Sequence, residues 1–300
     1  MNKDYTIILY YKYIPIENPD ALVKAQKELC TELSLTGRVI IAREGINGTL
    51  EGNTSDIDTY CTNLLTIKGF EDIVVKRSIG NGSAFPKMNI KVRNEVVSAH
   101  LNSEDVLPYE ITGTHLSADG LEDWRNSGKE FYIVDMRNGY EFKVGHFENS
   151  INPKLDNFRD LPKALEELKH LKNKTILTVC TGGVRCEKAS GYLKSKGFDD
   201  VYQLQDGIVT YMEKYPNQAF KGKLYVFDTR VTIDFDTPEH HTVVGMCHIC
   251  SESTEHYVNC KNKKCNDHIL LCNTCEEEKG IFCGVGCKGV YERESEYKNA

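Results

Sequence analysis

The 300-residue chain has no apolar run near the roughly 18 residues that a membrane-spanning helix requires. Its mean hydropathy of -0.44 agrees, so no membrane role is expected. The opening stretch Met1–Tyr13 carries no small-residue cleavage site, and Lys12 and Pro15 break its short apolar run. No secretory signal is read there, and a cytoplasmic location is expected. Internal repeats and low-complexity tracts are also missing, which excludes solenoids and disordered scaffolds. Gly-x-Gly-x-x-Gly does not occur, so no dinucleotide or flavin site of that design is expected. A positive charge excess is lacking too. The net charge of -7 argues against a uniformly basic nucleic-acid binder.

What is present describes an ordinary globular chain, 40% hydrophobic and 27% charged. Its length exceeds one comfortable core, so two or three domains are expected. Twelve cysteines are many, and eight of them lie between Cys247 and Cys287. Nothing supplies the oxidising compartment that a disulfide framework needs, so metal binding is the first reading of that cluster.

Residues 1–105 read as a small α/β domain. Tyr5–Tyr11, Val39–Ala42, Thr49–Glu51, Ile73–Lys76 and Met88–Arg93 have strand character, and Pro19–Leu35 and Thr54–Ile67 have helical spacing. Asn47-Gly48 is a two-residue hairpin signal. The order β-α-β-β-α-β predicts a ferredoxin-like sandwich. Residues 73–94 hold Lys76, Arg77, Lys87, Lys91 and Arg93 with no acidic residue. In Lys87–Arg93 the cations alternate with Met88, Ile90 and Val92, so one strand face is basic and suits a phosphate backbone. Arg43, at a polar hairpin tip, joins Lys87, Lys91 and Arg93 as a candidate RNA contact.

Residues 113–221 alternate short apolar strands with helices, the pattern of a buried parallel sheet. Ligands of such sheets sit beyond the carboxyl ends of the strands. Cys180 stands there, directly after Thr175–Val179. Thr181, Gly182, Gly183 and Val184 follow, then Arg185 and Cys186 at a helix start. Glycines that let amides converge, a guanidinium and a helix N-terminus all stabilise a thiolate at Cys180. Four residues separate Cys180 from Arg185, a loop short enough to suit the outer sulfur of a persulfide. Cys186 is a candidate resolving thiol or a packing residue.

This segment resembles the rhodanese domain. Asp135-Met-Arg137, Glu141, Gly145-His146, Ile151-Asn152 and Leu204-Gln-Asp-Gly207-Ile208 extend the likeness, with Asp206 where a second glycine is usual. Asp135 with Arg137 reads as a buried pair that fixes the loop, and His146 as structural.

Residues 222–300 contain an extended stretch (224–235), the cysteine cluster and a charged tail from Glu292 expected to fray. The spacings are Cys247-x2-Cys250, Cys260-x4-Cys265, Cys272-x2-Cys275 and Cys283-x3-Cys287. Eight thiolates suffice for two tetrahedral sites, so one or two structural zinc ions are expected. An iron–sulfur cluster fits the same donors. Sequential pairing and cross-brace pairing of the four pairs both satisfy the spacing. His248, His256 and His268 are spare donors.

The whole chain resembles the bacterial tRNA uridine hydroxylases. The matching stretches are Ala42–Thr49, Met88–Arg93 and Cys180–Ala189, with the paired cysteines after Gly245. The resemblance implies an acylphosphatase-like first domain, a rhodanese domain and a cysteine-rich end. It implies hydroxylation of the wobble uridine of tRNA to 5-hydroxyuridine, with molecular oxygen as co-substrate and a reductant the sequence does not name. Cys180 would be the required residue and Arg185 its electrostatic support. Two alternatives fit the same residues. One is a sulfurtransferase carrying a persulfide on Cys180. The other is a non-catalytic, zinc-stapled RNA-binding protein. Oligomeric state is not legible.

Overall fold

The computed structural model describes residues 4–235 and 239–299. Its first part contains β1 (Tyr5–Tyr13), α1 (Pro19–Glu32), β2 (Thr36–Ala42), β3 (Gly45–Asn53), α2 (Thr54–Leu65), β4 (Lys76–Gly80) and β5 (Met88–Val92). The strands form one sheet in the order β4-β1-β3-β2-β5, antiparallel except for the β2–β5 pair. This is the expected ferredoxin-like arrangement with one added edge strand. Ile8, Tyr10, Val39, Ile41, Leu50 and Ile90 point to one face and pack against α1 and α2. The alternate residues, Leu9, Tyr11, Arg38, Ile40, Asn47 and Thr49, occupy the other face, which no helix of this domain covers.

The hairpin signal was misplaced. The β2–β3 turn is Arg43-Glu44, while Asn47-Gly48 lies inside β3, paired with Ile40-Val39 and with Tyr11-Tyr10. Gly48 is there because a Cβ would fall 2.3 Å from the Tyr10 ring. Tyr10 is buried and bonded to Tyr60, which donates to Gln26 (both 2.5 Å). Close packing, not turn geometry, selects this glycine. The fourth strand also begins later than expected, at Lys76.

The second part holds β6 (Thr114–Leu116), α3 (Ala118–Ser127), β7 (Tyr132–Asp135), α4 (Gly139–Val144), β8 (Gly145–Phe147), α5 (Leu161–Leu168), β9 (Ile176–Val179), α6 (Val184–Ser195), β10 (Val201–Leu204) and α7 (Gly207–Lys214). Strands β6-β10-β9-β7 form the expected parallel sheet. Every residue of β9 is buried, as a central parallel strand requires. Separate apolar clusters cover its two faces.

The chain continues through β11 (Phe220–Gly222), which pairs with β8, and the short hairpin β12 (Leu224–Tyr225) and β13 (Thr232–Ile233). The expected extended stretch is therefore a hairpin that folds back on the first domain. Thr229 N–H donates to Ala84 O (3.0 Å), and Arg230 donates to Ser78 Oγ (3.1 Å) and Ile79 O (3.2 Å). The cysteine-rich end contains β14 (Tyr257–Asn259), β15 (His268–Leu270), α8 (Asn273–Lys279) and α9 (Val285–Asn299). The tail from Glu292, expected to fray, continues as helix in α9. No helix among the described residues is long and apolar enough to cross a membrane.

Candidate active site and metal centres

Cys180 directly follows β9 and is fully buried from bulk solvent. Gly183 adopts φ +101°, open to glycine but strained for other residues, and this turns its amide inward. Its N–H donates to Cys180 Sγ at 3.3 Å. Helix α6 starts at the next residue, and α7 pins the loop from the other side through Ile208 N–H to Cys180 O (2.9 Å) and Val209 N–H to Thr181 O (3.0 Å). Burial alone would raise the thiol's pKa. The Cys186 thiol, the Arg185 charge and the amides of Cys186 and Gly183 outweigh it and bring Cys180 down to about 6. Cys186 shifts the opposite way, held up by burial and by its bond to Cys180. It is the neutral donor beside a thiolate.

Arg185 does not stand free. Its two terminal nitrogens grip the Glu141 carboxylate at 2.6 and 2.8 Å, and Nη2 also reaches Thr181 Oγ1 at 3.3 Å. Glu141 is fully buried on α4 and also accepts the Asn138 N–H at 2.9 Å, closing that helix's capping box. Such a two-pronged pair fixes a guanidinium in one plane. The sequence reading included Glu141 in a resemblance but gave it no role.

Asp135 and Arg137 are the buried pair expected. Both are fully buried, joined at 2.6–3.1 Å, and Arg137 also donates to Gly145 O at 2.7 Å. His146 is structural as well, bonded through Nδ1 to Phe142 O (2.9 Å) and stacked on the Phe142 ring.

The open face of the ferredoxin-like sheet lies over the Cys180 loop. Leu9 packs on Gly182 and the Tyr11 hydroxyl on Gly183. Tyr11 donates to Glu187 Oε1 (3.2 Å) and Tyr13 to Val184 O (3.3 Å). Lys76 pairs with Asp206 at 3.0 Å, which gives this loop's departure from glycine a partner in the other domain. Lys188, fully buried on α6, binds Glu44 Oε2 (2.6 Å), Asp105 Oδ1 (2.7 Å) and Val106 O (3.1 Å). Glu44 and Lys188 lie in two of the stretches that carried the family resemblance. Spacing gave no signal that they meet.

These contacts border an open-sided cavity of about 420 Å³, which Val96, Val97, Ser98 and Phe158 also line. The sheet face supplies Leu9, Ile40, Asn47 and Thr49. The loop supplies Cys180, Thr181, Gly182, Val184 and Arg185. The β12–β13 hairpin supplies Phe227 and Arg230. Of the candidate RNA contacts, Lys91 sits beside Ile40 on the same open face, and Arg43, Lys87 and Arg93 are exposed nearby in sequence. None of the four lines the cavity.

The eight clustered cysteines form two groups, Cys247, Cys250, Cys272 and Cys275, and Cys260, Cys265, Cys283 and Cys287. Within each, the sulfurs lie within 4.8 Å of one another. Tetrahedral thiolates about 2.3 Å from a zinc would stand roughly 3.8 Å apart, so either group fits a metal ion. The pairing left open by spacing is cross-brace, first pair with third and second with fourth. The three histidines bond elsewhere: His248 to Cys283 O (2.9 Å), His256 to Glu276 (2.9 Å) and His268 to Asn259 (2.5 Å). The region docks on α4 through a bond from the Tyr257 hydroxyl to Tyr140 O and through the rings of Tyr140, Tyr225, Tyr257 and His268.

Three family models match the chain: the UPF0176 acylphosphatase like domain over residues 5–96, the rhodanese-like domain over 117–214 and the rhodanase C-terminal over 221–288. A crystal structure of a rhodanese-like domain protein from Staphylococcus aureus is 28% identical and covers 33% of this chain and 90% of its own, with a TM-score of 0.29. A tRNA uridine(34) hydroxylase of Bacillus pumilus is 41% identical, covering 96% of this chain and 89% of its own length. Similar proteins of the same name in Cytophaga hutchinsonii (39% identical) and Acholeplasma laidlawii (41%) cover 95% and 96% of this chain and 90% and 91% of their own. With relatives of this identity along nearly its whole length, the chain belongs to the tRNA uridine(34) hydroxylase family.

Proposed function

We propose that this protein hydroxylates uridine 34 of tRNA at C5, with Cys180 as the reacting group. The observation that carries the reading is a stabilised thiolate in the wall of a cavity between the loop and the sheet face, within a chain of this family. A base in an RNA stack is out of a thiolate's reach, so the uridine leaves the stack and enters the cavity. The thiolate adds to C6 and leaves an electron pair on C5. Molecular oxygen takes that pair. A proton from solvent, with two electrons and two protons from a separate reductant, then releases water and leaves a hydroxyl on C5. Loss of the C5 proton with departure of Cys180 restores the ring. Arg185, held by Glu141, keeps positive charge beside the sulfur in both its bonded and departing states. Cys186 supplies a hydrogen bond to it.

Arg43, Lys87, Lys91 and Arg93, exposed on the first domain, offer a path for the phosphate backbone outside the cavity. The two cysteine groups take one zinc ion each, as structural staples. The division into 1–105, 113–221 and 222–300 assigns RNA contact, chemistry and support respectively, and the protein acts in the cytoplasm, where its substrate is.

A second reading, sulfur transfer through a Cys180 persulfide, draws on the four-residue loop. One experiment separates the two. Purified protein is incubated in air with undermodified tRNA and a thiol reductant, with Cys180→Ala in parallel, and the nucleosides are analysed by mass spectrometry. A gain of one oxygen atom at uridine 34, dependent on Cys180, is the expected result. A gain of sulfur would replace the hydroxylase reading with thiolation, and no change in either atom with folded, metal-replete protein would leave an RNA-binding role.

A further inference from the structure

Asn47 is unexplained by the fold. Asparagine is a poor strand former, yet it is the third residue of β3, paired on both sides within the central strand of the sheet. No turn needs it there. Its side chain lies on the open face, in the row Ile40–Asn47–Tyr11, and lines the cavity opposite the Cys180 loop. Among the described residues its amide has no hydrogen-bond partner. Arg38 stands diagonally across on β2, exposed at the cavity's edge. Four other cations line this cavity, and each is matched: Lys76 by Asp206 (3.0 Å), Arg77 by Asp58 (2.7 Å), Arg185 by Glu141 (2.6 Å) and Arg230 by Asp228 (2.7 Å). Among the described residues, Arg38 is the lining cation with no carboxylate partner.

We infer that Asn47 reads the base edge of the extruded uridine and that Arg38 holds an adjoining phosphate. This rests on the hydroxylase reading of the same cavity. A carboxamide presents an N–H and a C=O side by side, the complement of uracil's adjacent carbonyl and ring N–H. The volume lies in the range of sites that enclose a small ligand, about 300–1,000 Å³. The apolar neighbours Leu9, Ile40 and Phe227 offer faces for the ring. Arg38, solvated and uncommitted, is free to pair with a phosphate oxygen where the backbone passes the rim. Asn47 and Arg38 are thus positioning residues on the sheet, and the chemistry stays on the loop.

The test uses full-length protein as wild type, Asn47→Thr and Arg38→Gln. The probes are anticodon stem-loop RNAs with uridine or an abasic nucleotide at position 34, with affinities measured across a salt series. Wild type should bind the uridine loop about tenfold more tightly than the abasic one, the return for two neutral hydrogen bonds. Asn47→Thr should cut that ratio several-fold, leaving the share due to ring packing on Leu9, Ile40 and Phe227, while its melting temperature holds or rises, since threonine is the better strand residue. Arg38→Gln should weaken both RNAs by the same factor and flatten the slope of log affinity on log salt by about 0.7. A wild-type ratio of one, or a ratio unchanged by Asn47→Thr, overturns the base contact. An unchanged salt slope in Arg38→Gln overturns the phosphate contact. Nucleoside analysis of the same wild-type samples judges the hydroxylase reading separately. Base discrimination without hydroxylation would defeat that reading and leave the binding inference standing.

Discussion

Replacing Glu141 by glutamine separates two consequences of one ion pair. The Glu141 carboxylate is fully buried and takes bonds of 2.6 and 2.8 Å from Arg185. Glutamine keeps the size and one acceptor, but it removes the charge and turns an N–H2 toward the guanidinium. Stripping one partner from a buried pair costs about 3–5 kcal/mol, because the other charge stays desolvated. Arg185 keeps 11% of its side chain exposed toward the cavity, so the lower end, about 3 kcal/mol, is expected. At a urea slope near 2 kcal/mol/M, the unfolding midpoint should fall by about 1.5 M. Trp124 is the sole tryptophan and packs edge-on against Phe131 and Tyr202, so its fluorescence reports the rhodanese domain alone. The second consequence has the opposite sense. With the carboxylate neutralised, the field of Arg185 at Cys180 is no longer offset, so the thiol should titrate below about 6 even as the domain loses stability. Iodoacetamide labelling against pH, read on the tryptic peptide Thr175–Arg185, follows that one sulfur. A midpoint shift under about 0.5 M, or a labelling profile displaced to higher pH, would refute the reasoning.

In the wild type, Cys180 labelling should level off above about pH 7 and fall roughly tenfold per unit below 6. Because its folded pKa is depressed, the stability it contributes is full above the ordinary thiol range and is lost as pH falls through about 6. Cys186→Ala, which removes the neutral donor, should move the labelling profile upward. Gly48→Ala places a methyl 2.3 Å from the Tyr10 ring and should cost about 1–3 kcal/mol, measured by thermal unfolding. Lys188→Met leaves the buried Glu44 carboxylate without its cation, with the more exposed Asp105 still able to reach water, and should cost about 3 kcal/mol. Limited proteolysis between residues 97 and 113 should accelerate in that variant. Metal analysis should find two zinc equivalents per chain, and Cys265→Ser should release the one held with Cys260, Cys283 and Cys287.

Local signals announced the elements that carry strong periodicity. The helix read at Thr54–Ile67 runs Thr54–Leu65, the strand read at Met88–Arg93 runs Met88–Val92, and the thiolate loop lies where strand, glycines and arginine placed it. The misses share a cause. Asn47-Gly48 has the composition of a turn, but the glycine was selected by a tyrosine ring on the next strand. Helix α4 is six residues long, too short to show a period, and it carries Glu141. The cysteine pairing depends on how two loops fold over each other, and spacing is silent on that. In each case a partner distant in the chain decides, and a single sequence records only one side of the contact.

The same point bears on how a rhodanese loop comes to serve oxidation of a base. The loop's own features, a low thiol pKa and converging amides, suit sulfur transfer equally well. What differs is the surroundings. Leu9 and Tyr11 cover the two loop glycines, and the hairpin after the sheet lines a further side, anchored on Ser78 and Ala84. A thiolate adduct of a pyrimidine passes through an electron-rich carbon that bulk water would protonate, and an enclosed site delays that loss. The stretches 42–49 and 180–189 then have one shared purpose. Glu44 and Lys188 tie the sheet domain to the helix after the loop, and Asn47 and Cys180 line the same cavity, so changing either stretch alone would disturb both. If so, Lys188→Met should leave Cys180 as reactive toward iodoacetamide as before while hydroxylation falls by an order of magnitude or more. A parallel decline of both would place the role of Lys188 in the loop itself.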